Sequence, residues 1–274
     1  MKKTSEIIYN FFPNTKIIKQ FELGMSNNTY LIEIDQKKYV FRIPISDNSY
    51  FVSHHQEYNN LKKIKSLDIN QENILYLKNG IKLAIYIENK NNNFDNNDII
   101  NLMKKLHHSN IKLSKYNHLD RLKKYEKINI NIDPKYFIYK NMFIKKYSFL
   151  KKYMKYPCHN DLQQNNLINN KKLYLIDWEF AGMNDYIYDI CCYTKRNVND
   201  SIKLLELYQN KKINNNQLLR IYYWSLYQNL QWYLVALYKD NTNFNPNINF
   251  KNLANDFLKN ANYFYQLIKE NNNI

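Results

Sequence analysis

The apolar pattern of this 274-residue chain changes period near residue 90. Ahead of that point, short β-branched and aromatic runs follow one another: KIIKQFEL, NTYLIEID and KKYVFRIP, then Ile74–Lys78 and Ile81–Glu88. Gly24–Asn28, Asp35–Lys37 and Asn79–Gly80 separate them with turn chemistry, the last a hairpin signal. A helical pattern, Phe51–Leu67, interrupts these runs. Farther along, Asn97–His108, Pro134–Lys155, Ile187–Tyr208, Gln217–Lys239 and Leu253–Glu270 show apolar spacing near 3.6 residues. The exception is Cys158–Trp178, where Leu167–Ile168 and Leu173–Ile176 flank a polar loop. The pattern predicts an α+β chain: a small sheet of about five strands with one helix, then a larger helical part carrying an inserted loop and hairpin. Such an arrangement places an active site between the two parts.

Composition narrows the classes. Hydrophobic residues at 45% and charged residues at 23% belong to a globular chain rather than a disordered one. No stretch approaches the ~20 apolar residues of a membrane span, and Ile221–Tyr238, interrupted by Gln228, Asn229 and Gln231, reads as a buried helix. MKKTSEIIYNFF lacks the apolar core and cleavage site of a signal peptide. Cys158, Cys191 and Cys192 form no even disulfide framework, so reduced thiols and a cytoplasmic location are expected. No Cys/His set has zinc spacing. The net charge of +16 suggests nucleic acid, but only four of the 40 basic residues are Arg, the residue that reads bases and phosphates bidentately. Asn, Ile, Lys and Tyr, all with A/T-rich codons, dominate throughout, so nucleotide bias accounts for the lysines. No nucleic-acid partner is expected; a non-catalytic basic binder is the reading from another class.

Chemistry concentrates in HNDLQQNNLINNKKLYLIDWEF, His159–Phe180. Asp161 lies in a loop, Asn166 follows five residues later, and Asp177 follows the second short strand. Mg²⁺ prefers hard oxygen ligands and is held by few protein groups plus phosphates. Asn166 and Asp177 suit that role, and Asp161 suits accepting or orienting the proton of an attacking hydroxyl.

H-x-D-x-x-x-x-N followed by I-D-W-E resembles the catalytic and metal loops of the aminoglycoside phosphotransferase and choline kinase superfamily. HNDLQQNN with IDWEFAGMNDYIYDI is most similar to choline/ethanolamine kinases, of the bacterial type. The resemblance implies a protein-kinase-like bilobal fold with an antiparallel-sheet nucleotide-binding N-lobe (1–88) and a mainly helical catalytic and acceptor-binding C-lobe (89–274). It implies ATP and Mg²⁺ as cofactors and choline as the small-molecule acceptor, ethanolamine, an aminoglycoside or thiamine being alternatives. LGMSNNTYLIEI resembles the family's nucleotide loop, with Gly24, Ser26, Asn27 and Asn28 near the phosphates. Arg42 in YVFRIP stands where kinases carry the strand residue that holds phosphates, and Glu57 matches its acidic partner. In LAIYIEN the backbone of Tyr86 and Ile87 meets the adenine edge. Gln163 matches a Gln near the nucleotide and metal, or braces the loop.

The resemblance gives His159 a loop-holding role rather than proton transfer, gives Asp189 a bracing role, and leaves Glu179 between a metal neighbourhood and a structural network. For the acceptor, Trp224 and Tyr227 match an aromatic W-x-x-[WY] pattern able to face a quaternary ammonium, with Trp232 as a further candidate; a buried aromatic helix face is the alternative for all three. One position departs from the family: seven residues after Asp189, eukaryotic choline kinases typically carry a choline-side Glu, and here Arg196 follows Lys195. The GxGxxG, DFG and APE elements of protein kinases are absent.

Overall fold

The computed structural model describes residues 2–21, 27–45, 50–91 and 93–271. It divides into two compact units, one comprising residues up to Leu102 with Asn165–Phe180, the other Met103–Gln164 with Ala181–Ile274.

The first unit is built on a five-stranded antiparallel sheet of order β1-β2-β3-β5-β4, with β1 Lys16–Gln20, β2 Asn27–Ile34, β3 Lys37–Pro44, β4 Asn73–Tyr76 and β5 Lys82–Ile85. The expected strand at 37–44 matches β3 residue for residue. Gly80, at φ +92°, closes the turn between β4 and β5, a conformation that side chains resist. Alternation along the strands sends Tyr30, Ile32, Phe41, Ile43 and Leu83 to one face, where they form a core with Ile8. Ile8 belongs to helix α1, Lys2–Phe11, which the strand-like reading of this region did not include. The opposite face receives Arg42 and Lys82, cross-strand partners in β3 and β5. Helix α2, His54–Ile64, begins at Ser53, whose hydroxyl accepts the Gln56 N–H, a standard N-cap that satisfies a first-turn donor. A hairpin of β7 (Leu167–Asn170) and β8 (Lys172–Leu175) completes this unit, followed by a 3₁₀ turn at Trp178–Phe180.

The second unit is mainly helical. After helix α3 (Asn96–His107), within which the division between units falls, come α4 (His118–Ile128), α5 (Pro134–Lys151), α6 (Tyr186–Tyr193), α7 (Val198–Gln209), α8 (Asn215–Asn241) and α9 (Phe250–Asn271). Helix α8 starts with a reciprocal capping box between Asn214 and Gln217 and packs against α4, α5, α6, α7 and α9. It is buried almost all round, as expected of a helix with apolar residues on every face. Strands β6 (Tyr156–Cys158) and β9 (Gly182–Asn184) pair in a short ribbon. The helical pattern Ile187–Tyr208 is broken: α6 ends at Tyr193 and α7 begins at Val198, because Lys195 and Arg196 take positive φ values. All three cysteines are free and buried, and among the described residues no helix is long and apolar enough to cross a membrane.

Candidate active site

In the first unit, Arg42 is the centre of a buried charge cluster. Its Nη2 donates to Glu57 Oε2 at 2.5 Å and its Nη1 to Asp177 Oδ1 at 3.2 Å. Lys82 Nζ lies 3.8 Å from Glu57 Oε1. Burial alone would raise the Glu57 carboxyl, but the charges of Arg42 and Lys82 outweigh it and hold the group at about 2. Burial, aided by the Arg42 charge, brings the Lys82 ammonium down to about 8 against the pull of Glu57. Glu57 therefore fixes the guanidinium, as expected of a charge-assisted pair in a dry site. Its Asp177 contact is of a different kind, since that carboxylate is 36% exposed.

Asp177 sits at φ +65°, a left-handed conformation forced on a residue with a side chain. Asn166 is buried, and its carbonyl accepts the Ile176 N–H at 2.9 Å. The hairpin thereby brings the backbone of Asn166, before β7, beside the residue preceding Asp177. Asn166 and Asp177 thus flank one hairpin, and both side chains carry the hard oxygen donors that a small divalent cation takes. Glu179 is buried and accepts from Asn27 Nδ2 at 3.1 Å, tying the start of β2 to the 3₁₀ turn. Asn28 is half-buried in β2, opposite Ile43. Gly24 and Ser26 lie outside the described residues.

A cavity of about 790 Å³ in this unit is lined by Leu31, Tyr39, Tyr86, Ile87 and lysines including Lys38. The Tyr86 N–H is already spent on the Lys38 carbonyl, and the Glu88 carbonyl accepts from Asn170 Nδ2. Of the expected adenine-edge pair, Ile87 is the residue whose N–H meets no backbone carbonyl among the described residues.

The second unit holds Asp161 and the loop before it. Asp189, in α6, accepts the backbone N–H groups of His159 (2.8 Å) and Asn160 (2.7 Å). His107 Nε2 also meets Asp189, at 3.0 Å, while His107 Nδ1 faces the Tyr208 hydroxyl at 3.2 Å. With a carboxylate on one side and a hydroxyl on the other, the proton belongs on Nε2. Asn160, at φ +63°, accepts from Asn184 Nδ2 at 2.7 Å, and the Cys192 thiol lies 3.7 Å from its carbonyl. Asp161, the next residue, accepts from Gln163 Nε2 through both oxygens at 3.2 and 3.1 Å. His159 is fully buried. Among the described residues, His107, Cys158 and Asp189 are the only His/Cys/Asp/Glu cluster compact enough for a metal, but the bonds just described already occupy the imidazole and the carboxylate.

Trp224 and Tyr227 carry no exposed surface, so packing rather than an open cage describes them. Trp224 stacks on His118 at 4.8 Å and donates its indole N–H to Asp185 Oδ2 at 2.8 Å. The Tyr227 hydroxyl lies within hydrogen-bond distance of two acceptors, Gln231 Oε1 at 3.0 Å and the His118 carbonyl at 3.2 Å, and its one proton serves one of them at a time. The His118 imidazole is enclosed by Tyr116, Tyr147, Tyr188, Trp224 and Tyr227, and burial pushes its pKa well below the ordinary histidine value. Trp232 is half-buried on the same helix.

Sequence reasoning missed three of these residues. Lys82 joins the Arg42 cluster only through the β3–β5 register, which no linear pattern reports. Asp185 and Arg220 form a buried bidentate pair, Nε to Oδ2 at 2.7 Å and Nη2 to Oδ1 at 2.5 Å. The available signal was Asp185 preceding the apolar run of α6, where it caps the Ile187 N–H.

A family model described as choline/ethanolamine kinase matches residues 18–203. Protein LicA of Haemophilus influenzae is 29% identical over 184 residues, 61% of this chain and 54% of that protein. The LicA homologue of Metamycoplasma hominis is 30% identical over 167 residues, 51% of this chain and 65% of its own length. This chain therefore spans about half of the Haemophilus protein. Among solved structures, choline kinase LicA from Streptococcus pneumoniae superposes with a TM-score of 0.78 at 22% identity, covering 96% of this chain and 97% of that one. An aminoglycoside phosphotransferase solved with GDP and kanamycin gives 0.63 at 14% identity over 99% of this chain and 100% of that one. At these identities the structural likeness shows the kinase-like fold.

Proposed function

The chain belongs to the choline/ethanolamine kinase family, and on that premise we propose that it is an ATP- and Mg²⁺-dependent kinase that phosphorylates the hydroxyl of choline. The observation that carries this reading is the Arg42 cluster. A guanidinium locked by Glu57 on one side, with a longer and more exposed bond to Asp177 on the other, is preorganised to hold phosphate oxygens. Asn166 and Asp177 would hold Mg²⁺, which when bound neutralises charge on the nucleotide phosphates. Gly24, Ser26, Asn27 and Asn28 would surround those phosphates, and the Ile87 N–H would meet the base. Asp161 accepts the proton of the choline hydroxyl as its oxygen bonds to the γ-phosphorus; the bond to the bridging oxygen breaks and ADP leaves. Gln163 and the Asp189-anchored backbone position that carboxylate. A solved relative described as choline kinase LicA supports choline as acceptor.

An ATP-consumption screen against choline, ethanolamine, thiamine and kanamycin tests the proposal. Choline is expected to give the highest kcat/KM, with turnover lost on removing Mg²⁺. Faster turnover of another acceptor overturns the choline assignment, and turnover of none overturns the kinase reading.

A further inference from the structure

Arg42 and Glu57 hold one another by a single hydrogen bond where two are on offer. A guanidinium and a carboxylate pair most strongly edge to edge, through two parallel N–H···O bonds. Arg220 and Asp185 make that full pair, Nε to Oδ2 at 2.7 Å and Nη2 to Oδ1 at 2.5 Å. Arg42 does not. Its Nη2 donates to Glu57 Oε2 at 2.5 Å, while Arg42 Nε and Glu57 Oε1, both buried, have no hydrogen-bond partner. Leaving two buried polar atoms of one contacting pair unpaired is costly, so a third group must favour the arrangement.

Lys82 is placed to be that group. Its Nζ lies 3.8 Å from Glu57 Oε1, the unpaired oxygen. The β3–β5 register sets Lys82 directly opposite Arg42, and both side chains are nearly inaccessible. Among the described residues, Glu57 is the one carboxylate within ion-pair distance of Lys82. Glu57 thus divides its two oxygens between two cations. Around the ammonium stand Arg42 from β3, Glu57 from α2, Asp177 and Glu179 from the hairpin end, and Tyr76 from β4, whose ring centroid is 5.9 Å away. Burial and the Arg42 charge outweigh the three carboxylates and bring the ammonium down from 10.5 to about 8. At pH 7 it is still charged, and because its folded value lies below the ordinary one, that charge lowers the stability of the fold.

We propose that Lys82 is a positioning residue for the nucleotide phosphates. By drawing Glu57 Oε1 away from Arg42 Nε, it keeps the Glu57–Arg42 lock to one bond. The Nη1 side of the guanidinium can then exchange Asp177 for a phosphate oxygen. Without Lys82, the carboxylate closes on Nε and Nη2 together and fixes the guanidinium in its unliganded position. The inference rests on the phosphotransfer reading of the Arg42 cluster and deepens it.

Titration calorimetry with ATP on the parent and Lys82→Met, paired with thermal melts, tests the inference. At pH 7 the substitution lowers ATP affinity about tenfold or more. Tm stays level or rises, because an apolar chain of similar length replaces a buried cation while Glu57 keeps Arg42. A pH series supplies a second readout within the intact parent. Its ATP affinity falls between pH 7 and 9.5 as the ammonium loses its proton, whereas Lys82→Met stays within about twofold over that range. Unchanged ATP affinity in Lys82→Met, an equal decline with pH in both proteins, or a Tm lowered by more than about 5 °C together with affinity overturns the inference and leaves the kinase reading intact. A parent that binds no ATP overturns the kinase reading, and this inference with it.

Discussion

Two buried sites, the Arg42 cluster of the first unit and His118 of the second, accommodate titratable groups in opposite ways. In the first, Arg42, Glu57 and Lys82 are all nearly inaccessible and stay charged by facing one another. In the second, His118 is equally inaccessible, but its neighbours are aromatic rings and the group remains neutral. A paired cluster holds its charges in place, at the expense of fragility if one partner is lost. A neutralised group contributes shape to a helical core and little else. The difference follows from local sequence: β3, α2 and β5 each send a charged residue to one face of the sheet, whereas His118 is met by Tyr116, Tyr147 and Tyr188 and by Trp224 and Tyr227 of α8.

The largest effect expected from this contrast comes from Glu57→Gln, which leaves two buried cations facing a neutral amide. Removing one partner of a buried ion pair costs about 3–5 kcal/mol, measurable as a lowered urea midpoint, with nucleotide affinity falling as well. A loss under 1 kcal/mol by the measure used for exposed pairs would show that the cluster is solvated. Acid tests the same cluster next. The folded-state value of Glu57, about 2, lies below its ordinary 4.5. Its contribution is present above pH 4.5 and lost as pH falls toward 2, a decline on the order of 3 kcal/mol that Glu57→Gln should lack.

Effects in the helical unit are smaller. Trp224→Phe removes the donor to Asp185 and leaves that carboxylate with Arg220, a cost of about 1–2 kcal/mol. Acceptor and ATP KM values should shift equally if the ring is packing, whereas a selective rise in acceptor KM would place the ring in the acceptor site. The mildest substitution is His118→Phe, expected to cost under about 1.5 kcal/mol at pH 7. Because the folded state refuses a proton that the unfolded chain takes up, His118 lowers stability as pH falls below its ordinary 6.5. The Phe variant should therefore lose less Tm than the parent between pH 7 and 5; parallel losses would mean that His118 accepts a proton in place.

Elements whose signal is local were legible from the chain. KKYVFRIP gave its strand because β-branched and aromatic residues alternate there, and Asn79–Gly80 marked its turn because glycine accepts the positive φ found at Gly80. Asp161, Asn166 and Asp177 could be singled out because their spacing surrounds a hairpin. Features set by register or by strain could not be read. Lys82 reaches Glu57 only through β3–β5 pairing. The break between α6 and α7 carries neither glycine nor proline, so the apolar period of Ile187–Tyr208 runs straight through a bend that Lys195 and Arg196 make at an energetic cost. Helix α1 escaped notice because its apolar stripe, which includes Ile7 and Ile8, is short and overlaps runs that also suit a strand.

The assignment of Asp161 as the group that takes the acceptor's proton is tested most directly by Asp161→Asn, measuring ATP affinity and kcat with choline on the same preparation. The account predicts ATP affinity within about twofold of the parent and a kcat lower by about 10²–10⁴-fold. A kcat within a few-fold of the parent, with ATP still bound, would contradict it.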